Sequence, residues 1–265
     1  MKRTNAIAIA TVIAAAIVAA LAFAVPLPES WTASNALFYS VLSLTFAFVC
    51  LHIGAVVIFL LSLSAYKAEL RRAYIVVSSS IALLALATLQ LPVISALNLW
   101  GSAWVTHGII GLPFVLSGVA AYLGVRSLAV LVGTRSWLTR IMIALPVIIA
   151  LCALTMFLPH VTSTTPEASY DASVIILVWS ALAYLAAVLI LVRVLSHIGE
   201  HYRAAMAALL AGFCAACLAM TFATLGTLLS NKNQDAWSVA IDITGLFAGL
   251  LFLRAGLIFT KAKEY

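Results

Sequence analysis

One acidic residue lies inside a strongly apolar stretch of the chain, and its chemistry is the clearest in the sequence. Asp242 follows Trp237 by five residues. An acid in the hydrocarbon of a bilayer is expensive to bury and usually has a function. Polar side chains of other stretches are expected at a similar depth: Thr221, Thr224, Thr227, Gln90 and His107. They predict a pocket open to the outside for a cation, a proton or a small polar ligand; alternatively, threonine hydroxyls simply cap Asp242.

Thiols and a histidine form a second group, expected near the middle of the membrane: Cys50, His52, Cys152, Cys214 and Cys217. Cysteine with histidine suits a soft metal, and two cysteines three residues apart share one face of a helix. Cysteine is also a small hydrophobic residue that packs well in apolar interiors. The group therefore indicates either a metal or redox site or ordinary packing.

The remaining histidines suggest weaker hypotheses. His197, Glu200 and His201 match H-x-x-E-H, the signature of inverted zinc metallopeptidases. The match has three fixed residues in a predicted turn, where a metal site, a pH-sensing cluster or plain polar residues are the alternatives. His107 and His160 could pair on the outer side around a haem, whereas His52 lies at another depth. The identity of any cofactor stays open, and no convincing catalytic set is found.

Composition determines the class of protein that must position these residues. Of 265 residues, 65% are hydrophobic and 8% are charged, against about 25% charged in average soluble domains. This excludes a cytosolic enzyme, a disordered chain and a nucleic-acid-binding domain. We predict an all-α, polytopic membrane bundle, one domain over 1–265 with eight transmembrane helices. Their spans are about 6–27, 37–65, 74–97, 104–125, 138–158, 172–195, 204–229 and 237–260.

The basic residues predict the orientation of these spans. With the N-terminus inside, 13 of 14 lysines and arginines fall on the inner side, and only Lys232 lies outside. The positive-inside rule then favours eight spans in the cell membrane with both termini cytoplasmic. Tryptophans would form an outer aromatic belt: Trp31, Trp100, Trp104 and Trp237. The first apolar run also resembles a signal peptide, but it is longer than a signal core, so we expect it to remain.

Small residues indicate where helices approach closely. Gly245 and Gly249 form a G-x-x-x-G on the last span, and Gly111 with Gly118 make a similar notch on the fourth. Such spacing lets two helix backbones meet in lipid. The pattern predicts packing within the bundle or, alternatively, a contact between copies of the chain.

Residues 114–203 resemble the multi-helix membrane sensor regions that precede bacterial diguanylate cyclases and histidine kinases. The resemblance rests on YLGVRSLA at 122–129, a basic turn at 135–140, a short outer loop at 159–171 and LVR at 191–193. We expect no output domain of those families within residues 1–265. The resemblance implies a sensor-like or partner-dependent membrane module and assigns no functional residue.

The function favoured by the sequence is therefore non-enzymatic: a sensor-like protein or accessory subunit that binds a small ligand or a membrane partner. The first alternative is a transporter or channel for a small cation or polar solute through the pocket at Asp242. The second is a membrane redox or metal protein. The expected partners are the lipid bilayer and either a membrane protein complex or further copies of the chain, with no nucleic acid.

Overall fold

Helices form almost all of the structure. The computed structural model describes residues 6–14, 33–63, 66, 68–96, 111–133, 166–228 and 234–262. Within these ranges α1 covers 6–14. It is followed by α2 Ala33–Ser62, α3 Ala68–Ala96, α4 Leu112–Leu131, α5 Pro166–His197, α6 Glu200–Leu228 and α7 Gln234–Ala262. The predicted span 138–158 and most of 6–27 lie outside the described residues.

Six of these helices, α2 to α7, are long and apolar enough to cross a membrane. A helical bundle embedded in a membrane is thereby confirmed. Several helices reach past their predicted spans: α3 begins at Ala68 rather than 74, and α4 continues to Leu131 rather than 125. The prediction ended each span where apolarity ended. Backbone hydrogen bonds continue further, because helices with charged turns are stable in the headgroup region.

The six long helices close into a ring. In the described part of the chain each packs against two neighbours, in the order α2, α3, α4, α5, α6, α7 and back to α2. Large side chains fill the interior, among them Phe59, Tyr74, Tyr184, Phe213 and Phe252, all fully buried. A helix in lipid gains little from the hydrophobic effect, so tight contact of this kind is what holds the ring together.

Two neighbouring pairs in the ring run parallel. Gly111 of α4 meets Ile176 of α5, and seven residues later Gly118 meets Ala183. In the same sense, Gly245 of α7 meets Phe48 of α2, and further along Gly256 meets Ile58. By contrast, α3 and α4 are antiparallel, with Ser80 opposite Ser117 and Val77 opposite Gly124. The parallel pair α4 and α5 is consecutive among the described long helices.

The ring therefore has two distinct ends. The C-termini of α2, α4, α5 and α7 and the N-termini of α3 and α6 share one of them. Every basic side chain of the described helices lies in that half: Arg71, Arg72, Arg126, Arg193, Arg203, Arg254 and Lys261. We call it the basic end. Asp242 lies near the start of α7, in the opposite half.

The short helix α1 packs on the outside of the ring, against α2. A Cβ atom at Gly54 would come within 2.3 Å of the Thr11 side chain. The absence of a side chain at Gly54 therefore makes room for Thr11. Ala8, also on α1, is buried and belongs to the hydrophobic core.

A hydroxyl network joins three helices at mid-height. Ser80 Oγ donates to the Ser117 carbonyl, and Ser117 Oγ donates back to the Ser80 carbonyl, both at 2.8 Å. Ser117 Oγ also bonds the Tyr184 hydroxyl of α5. Because the Ser117 proton is already donated, Tyr184 must donate in this bond. The network explains how three buried hydroxyls are satisfied in a dry interior.

Removing the central hydroxyl should weaken the ring. We expect Ser117→Ala to lower the free energy of unfolding by about 1 kcal/mol, the scale of interhelical hydrogen bonds in membranes. The control is Ser127→Ala, because Ser127 is exposed and donates only to the Leu123 carbonyl of its own helix. Unfolding by SDS in mixed micelles measures both variants. Equal midpoints for the two would contradict the role assigned to the network.

Candidate functional site

α2 and α7 approach each other closely at two glycines that follow Asp242 on α7. Gly245 lies against the ring of Phe48, and Gly249 lies against Leu51 and His52. A Cβ on either glycine would be within 3 Å of those side chains. We call this contact the α2/α7 seam, made by Asp242, Gly245, Gly249, Phe48 and His52. The glycines of the predicted motif thus serve contact within the chain.

Asp242 lies one turn before Gly245, on the face of α7 that packs against α2. It is 8% exposed, and its Oδ2 atom is buried with no hydrogen-bond partner in the described structure. The described basic side chains are all in the other half of the ring. A buried carboxylate is stable only when a positive charge or several hydrogen bonds compensate it. None of the described residues supplies that compensation at Oδ2 of Asp242.

The companions predicted for Asp242 have different positions. Thr224 is buried on α6, which packs against α7, but its hydroxyl donates to the Met220 carbonyl of its own helix. Thr221 is exposed and donates to the Cys217 carbonyl. Gln90 follows exposed Leu86 by one turn on a face of α3 directed away from the interior, with its Oε1 buried and unpaired. The side chain of Thr227 and all of His107 lie outside the described residues.

His52 sits at the middle of the seam and is completely buried. Its Nδ1 lies 2.8 Å from the Phe48 carbonyl, so that nitrogen carries the proton and Nε2 presents a lone pair. Phe48 stacks on the imidazole at 3.9 Å, and Phe252 meets it edge-on at 5.8 Å. Nε2 has no partner among the described residues. His52 is therefore held in one orientation with an unused acceptor.

A continuous row of rings crosses the interior from His52. Phe252 contacts Phe213 at 5.2 Å, and Phe213 contacts Tyr184 at 5.9 Å. Tyr184 then reaches the serine pair of α3 and α4. All six helices of the ring contribute one residue to this layer, which fills the centre with packed side chains.

The predicted thiol group is spread over separate faces. Cys50 lies on the side of α2 that carries exposed Phe46 and Val57, away from His52. Cys217 faces α5 and contacts the Ala181 carbonyl at 3.5 Å. The three cysteines that the structure describes, including Cys214, are free. No group of three or more metal-ligating side chains occurs within the described ranges, and Cys152 lies outside them.

The H-x-x-E-H segment forms the tight turn between α5 and α6. His197 is the last residue of α5, and Glu200 is the first of α6. The His197 ring is exposed and bonds Ser196 and the Arg193 carbonyl of its own helix. The side chain of His201 is outside the described residues. His197 and Glu200 therefore lie at the two helix ends that this turn joins.

A tyrosine cluster at the basic end was not predicted. Tyr66, in the turn between α2 and α3, donates its hydroxyl to the Phe259 carbonyl of α7 at 2.6 Å. Its ring packs on Tyr74, which in turn meets the ring of Phe259. Tyr202, near the start of α6, packs against the core at the same end. Burial, and then the Tyr202 hydroxyl, raise the pKa of Tyr66 above its usual value.

No protein-family model, curated protein or solved structure matches this chain. The site is therefore interpreted from its own geometry.

Proposed function

We propose that the protein is a non-enzymatic membrane protein of eight spans, with both termini in the cytoplasm, that acts as a sensor or accessory subunit. Its ligand is a small cation bound at the α2/α7 seam. The observation that carries the proposal is the buried, unpartnered Oδ2 of Asp242. A role as partner of a larger membrane complex, or of further copies of the chain, agrees with the sensor-like resemblance of residues 114–203.

The directions of the helices support eight spans. α4 and α5 run parallel, and the proposed fifth span between them accounts for this direction. Residues 134–165 are enough for one crossing helix of about 20 residues. The same span accounts for the parallel pair α2 and α7, since five further long helices would otherwise leave α7 antiparallel to α2. The N-terminal stretch from residue 6 would be the first span.

Labelling from one side of the membrane tests this topology. In a variant without native cysteines, we expect Leu131→Cys at the end of α4 to be shielded from an impermeant maleimide added outside intact cells. Glu167→Cys at the start of α5 should react. Both positions are at helix ends in the described structure, and reaction after permeabilisation is the positive control. Reaction of both from the same side would contradict eight spans.

The filled centre favours binding over free passage. The row of His52, Phe252, Phe213 and Tyr184 closes the ring at mid-height. An ion bound at Asp242 would meet this layer rather than a continuous polar route. Occupancy would instead alter the contact between α2 and α7, and such a change of helix packing is the form in which a membrane sensor transmits binding.

Neutralising the acid tests the ligand site. Sodium, ammonium or tetramethylammonium chloride should raise the unfolding midpoint of the purified protein, and Asp242→Asn should lose at least tenfold of the apparent affinity while folding normally. A ligand that binds the native state and not the unfolded state stabilises a protein and raises its unfolding midpoint. Glu69→Gln is the matched control, because Glu69 is an exposed acid of α3. An unchanged cation response in Asp242→Asn would contradict the proposal.

One observation favours transport as a second candidate. Three of the five buried, unpartnered polar atoms of the described residues lie at successive heights of the ring: Asp242 Oδ2, His52 Nε2 and the Tyr74 hydroxyl. Successive heights differ by about seven residues, or about 10 Å of helix rise. Groups so spaced could pass a proton or cation only if water enters between them.

Flux separates the two candidates. In sealed liposomes containing a pH dye and the purified protein, transport predicts proton or cation uptake that Asp242→Asn and His52→Phe abolish. A sensor or accessory subunit predicts no flux above protein-free liposomes and recovery of a stoichiometric partner from mild detergent. Flux that survives both substitutions would exclude the seam as its route.

A further inference from the structure

The tyrosine cluster contains a hydroxyl that the described fold does not use. Tyr74 is 1% exposed, and its hydroxyl has no hydrogen-bond partner in the described structure. Leaving a buried donor unpaired costs about 1–3 kcal/mol. Phenylalanine would make the same ring contacts with Phe259 and Phe59 without that cost. A tyrosine at this place therefore points to a ligand that accepts a hydrogen bond.

The groups around Tyr74 are donors. The Tyr66 hydroxyl donates to the Phe259 carbonyl, and the Arg71 guanidinium donates to the Tyr66 carbonyl at 3.4 Å. Tyr202, near the start of α6, packs against the core at the same end of the ring of helices. Glu69 and Glu200, the acids of the adjoining helix ends, are exposed. The Tyr66 and Tyr202 hydroxyls and the Arg71 guanidinium thus lie at this end of the ring of helices and come from three parts of the chain.

The charge around the tyrosine cluster is positive, which suits an anionic ligand. The exposed basic residues of this end are Arg71, Arg72, Arg126, Arg203, Arg254 and Lys261. Clustered positive charge raises the local concentration of anions. Arginine suits phosphate groups in particular, because its planar fork of donors matches phosphate oxygens. Buried tyrosine hydroxyls beyond such a rim can supply the remaining hydrogen bonds.

From this arrangement we infer that the tyrosine cluster binds a phosphate group that enters the ring from the basic end. Tyr74 and Tyr202 donate to its oxygens, and Arg71 balances its charge. Tyr66 covers the site and gives up its bond to the Phe259 carbonyl when the phosphate enters. The site lies at the other end of the ring from Asp242 and does not depend on the proposed cation site.

The experiment compares two sources of the phosphate group. The unfolding midpoint of the purified full-length protein is measured at increasing concentrations of inorganic phosphate. A chloride salt without sulfate, at equal ionic strength, is the reference. A parallel series uses mixed micelles with phosphatidylglycerol or with phosphatidylcholine only. We expect the unfolding midpoint to rise in one of the two series. A rise with inorganic phosphate identifies a soluble phosphate as the ligand, and a rise with phosphatidylglycerol identifies an anionic lipid headgroup.

Tyr74→Phe should remove that response, with an apparent affinity at least tenfold weaker, while the variant without phosphate is as stable as the parent or more so. Tyr184→Phe is the matched control, because the Tyr184 hydroxyl has a partner in Ser117; it should lose stability but keep the phosphate response. Tyr202→Phe provides a second test if Tyr74→Phe folds poorly. Absence of a response in both series, or a response unchanged in both tyrosine variants, overturns the inference. Asp242→Asn should leave it intact.

Discussion

Leucine in place of Gly249 is expected to lower the free energy of unfolding by about 3 kcal/mol, the upper part of the range for overpacked interiors. Even the Cβ atom would be 2.8 Å from Cβ of Leu51 and 2.9 Å from Nδ1 of His52. The first of these atoms is fixed to the backbone of α2. The second belongs to a ring held by the Phe48 carbonyl and by stacking. Neither can move without separating α2 from α7.

Two comparisons make the result specific. Gly199→Leu should be nearly neutral, because nothing lies within 4 Å of a Cβ there. Gly212→Ala should be intermediate, since its Cβ would meet ring atoms of Phe252 rather than an atom attached directly to a helix backbone. The order of unfolding midpoints in SDS mixed micelles checks the prediction. A Gly249→Leu variant as stable as Gly199→Leu would mean that α2 and α7 are not in contact at this glycine.

The architecture follows from elementary features of the sequence. Low charge and long apolar runs predict a helical membrane bundle, and the six long helices confirm it. The G-x-x-x-G at Gly245 indicates a close helix contact, because few other reasons exist for two glycines at that spacing in an apolar helix. Sequence gives no partner helix for the motif, however. Only the closed ring identifies α2, which lies five described helices earlier in the chain.

The candidate sites were harder to predict for a geometric reason. Depth along a span can be counted from its ends, and this places Asp242 and Thr224 at similar heights. Rotation about the helix axis cannot be counted in the same way, because apolar residues surround each span and leave no polar face to orient it. Gln90 therefore has the expected height, with exposed Leu86 one turn before it on α3, and Cys50 lies opposite His52 on α2.

The tyrosines were missed because they look like membrane-interface residues. Tyrosine is common at the ends of membrane helices, so Tyr66, Tyr74 and Tyr202 carry no special signal in sequence. Ser117 also gives no special signal in the sequence. A hydroxyl in a membrane helix usually donates to a backbone carbonyl of its own helix, as Ser78 does to the Tyr74 carbonyl. Networks between helices depend on which helices are neighbours, and that is a property of the ring.

Alanine at Phe213 is expected to have the second large effect, a loss of about 3 kcal/mol. Phe213 is fully buried and is the link between Phe252 and Tyr184 in the central layer. Removing a buried phenyl ring leaves a cavity, and the lost contacts and the cavity together cost about 3–5 kcal/mol in well-packed interiors. We take the lower part of this range because lipid already solvates apolar groups in the unfolded state.

Phe247→Ala supplies the matched control, because Phe247 is 59% exposed on the outer face of α7. It should shift the SDS unfolding midpoint little. Benzene should restore part of the stability of Phe213→Ala, since an apolar cavity of this size binds it, and should not affect Phe247→Ala.

Phe213→Ala also tests whether the central layer of side chains blocks passage through the ring of helices. If packing at Phe213 is what prevents passage between Asp242 and the basic end, liposomes with Phe213→Ala will leak protons or cations that the parent protein retains. Loss of stability without benzene rescue would contradict the filled interior from which the sensor proposal is argued.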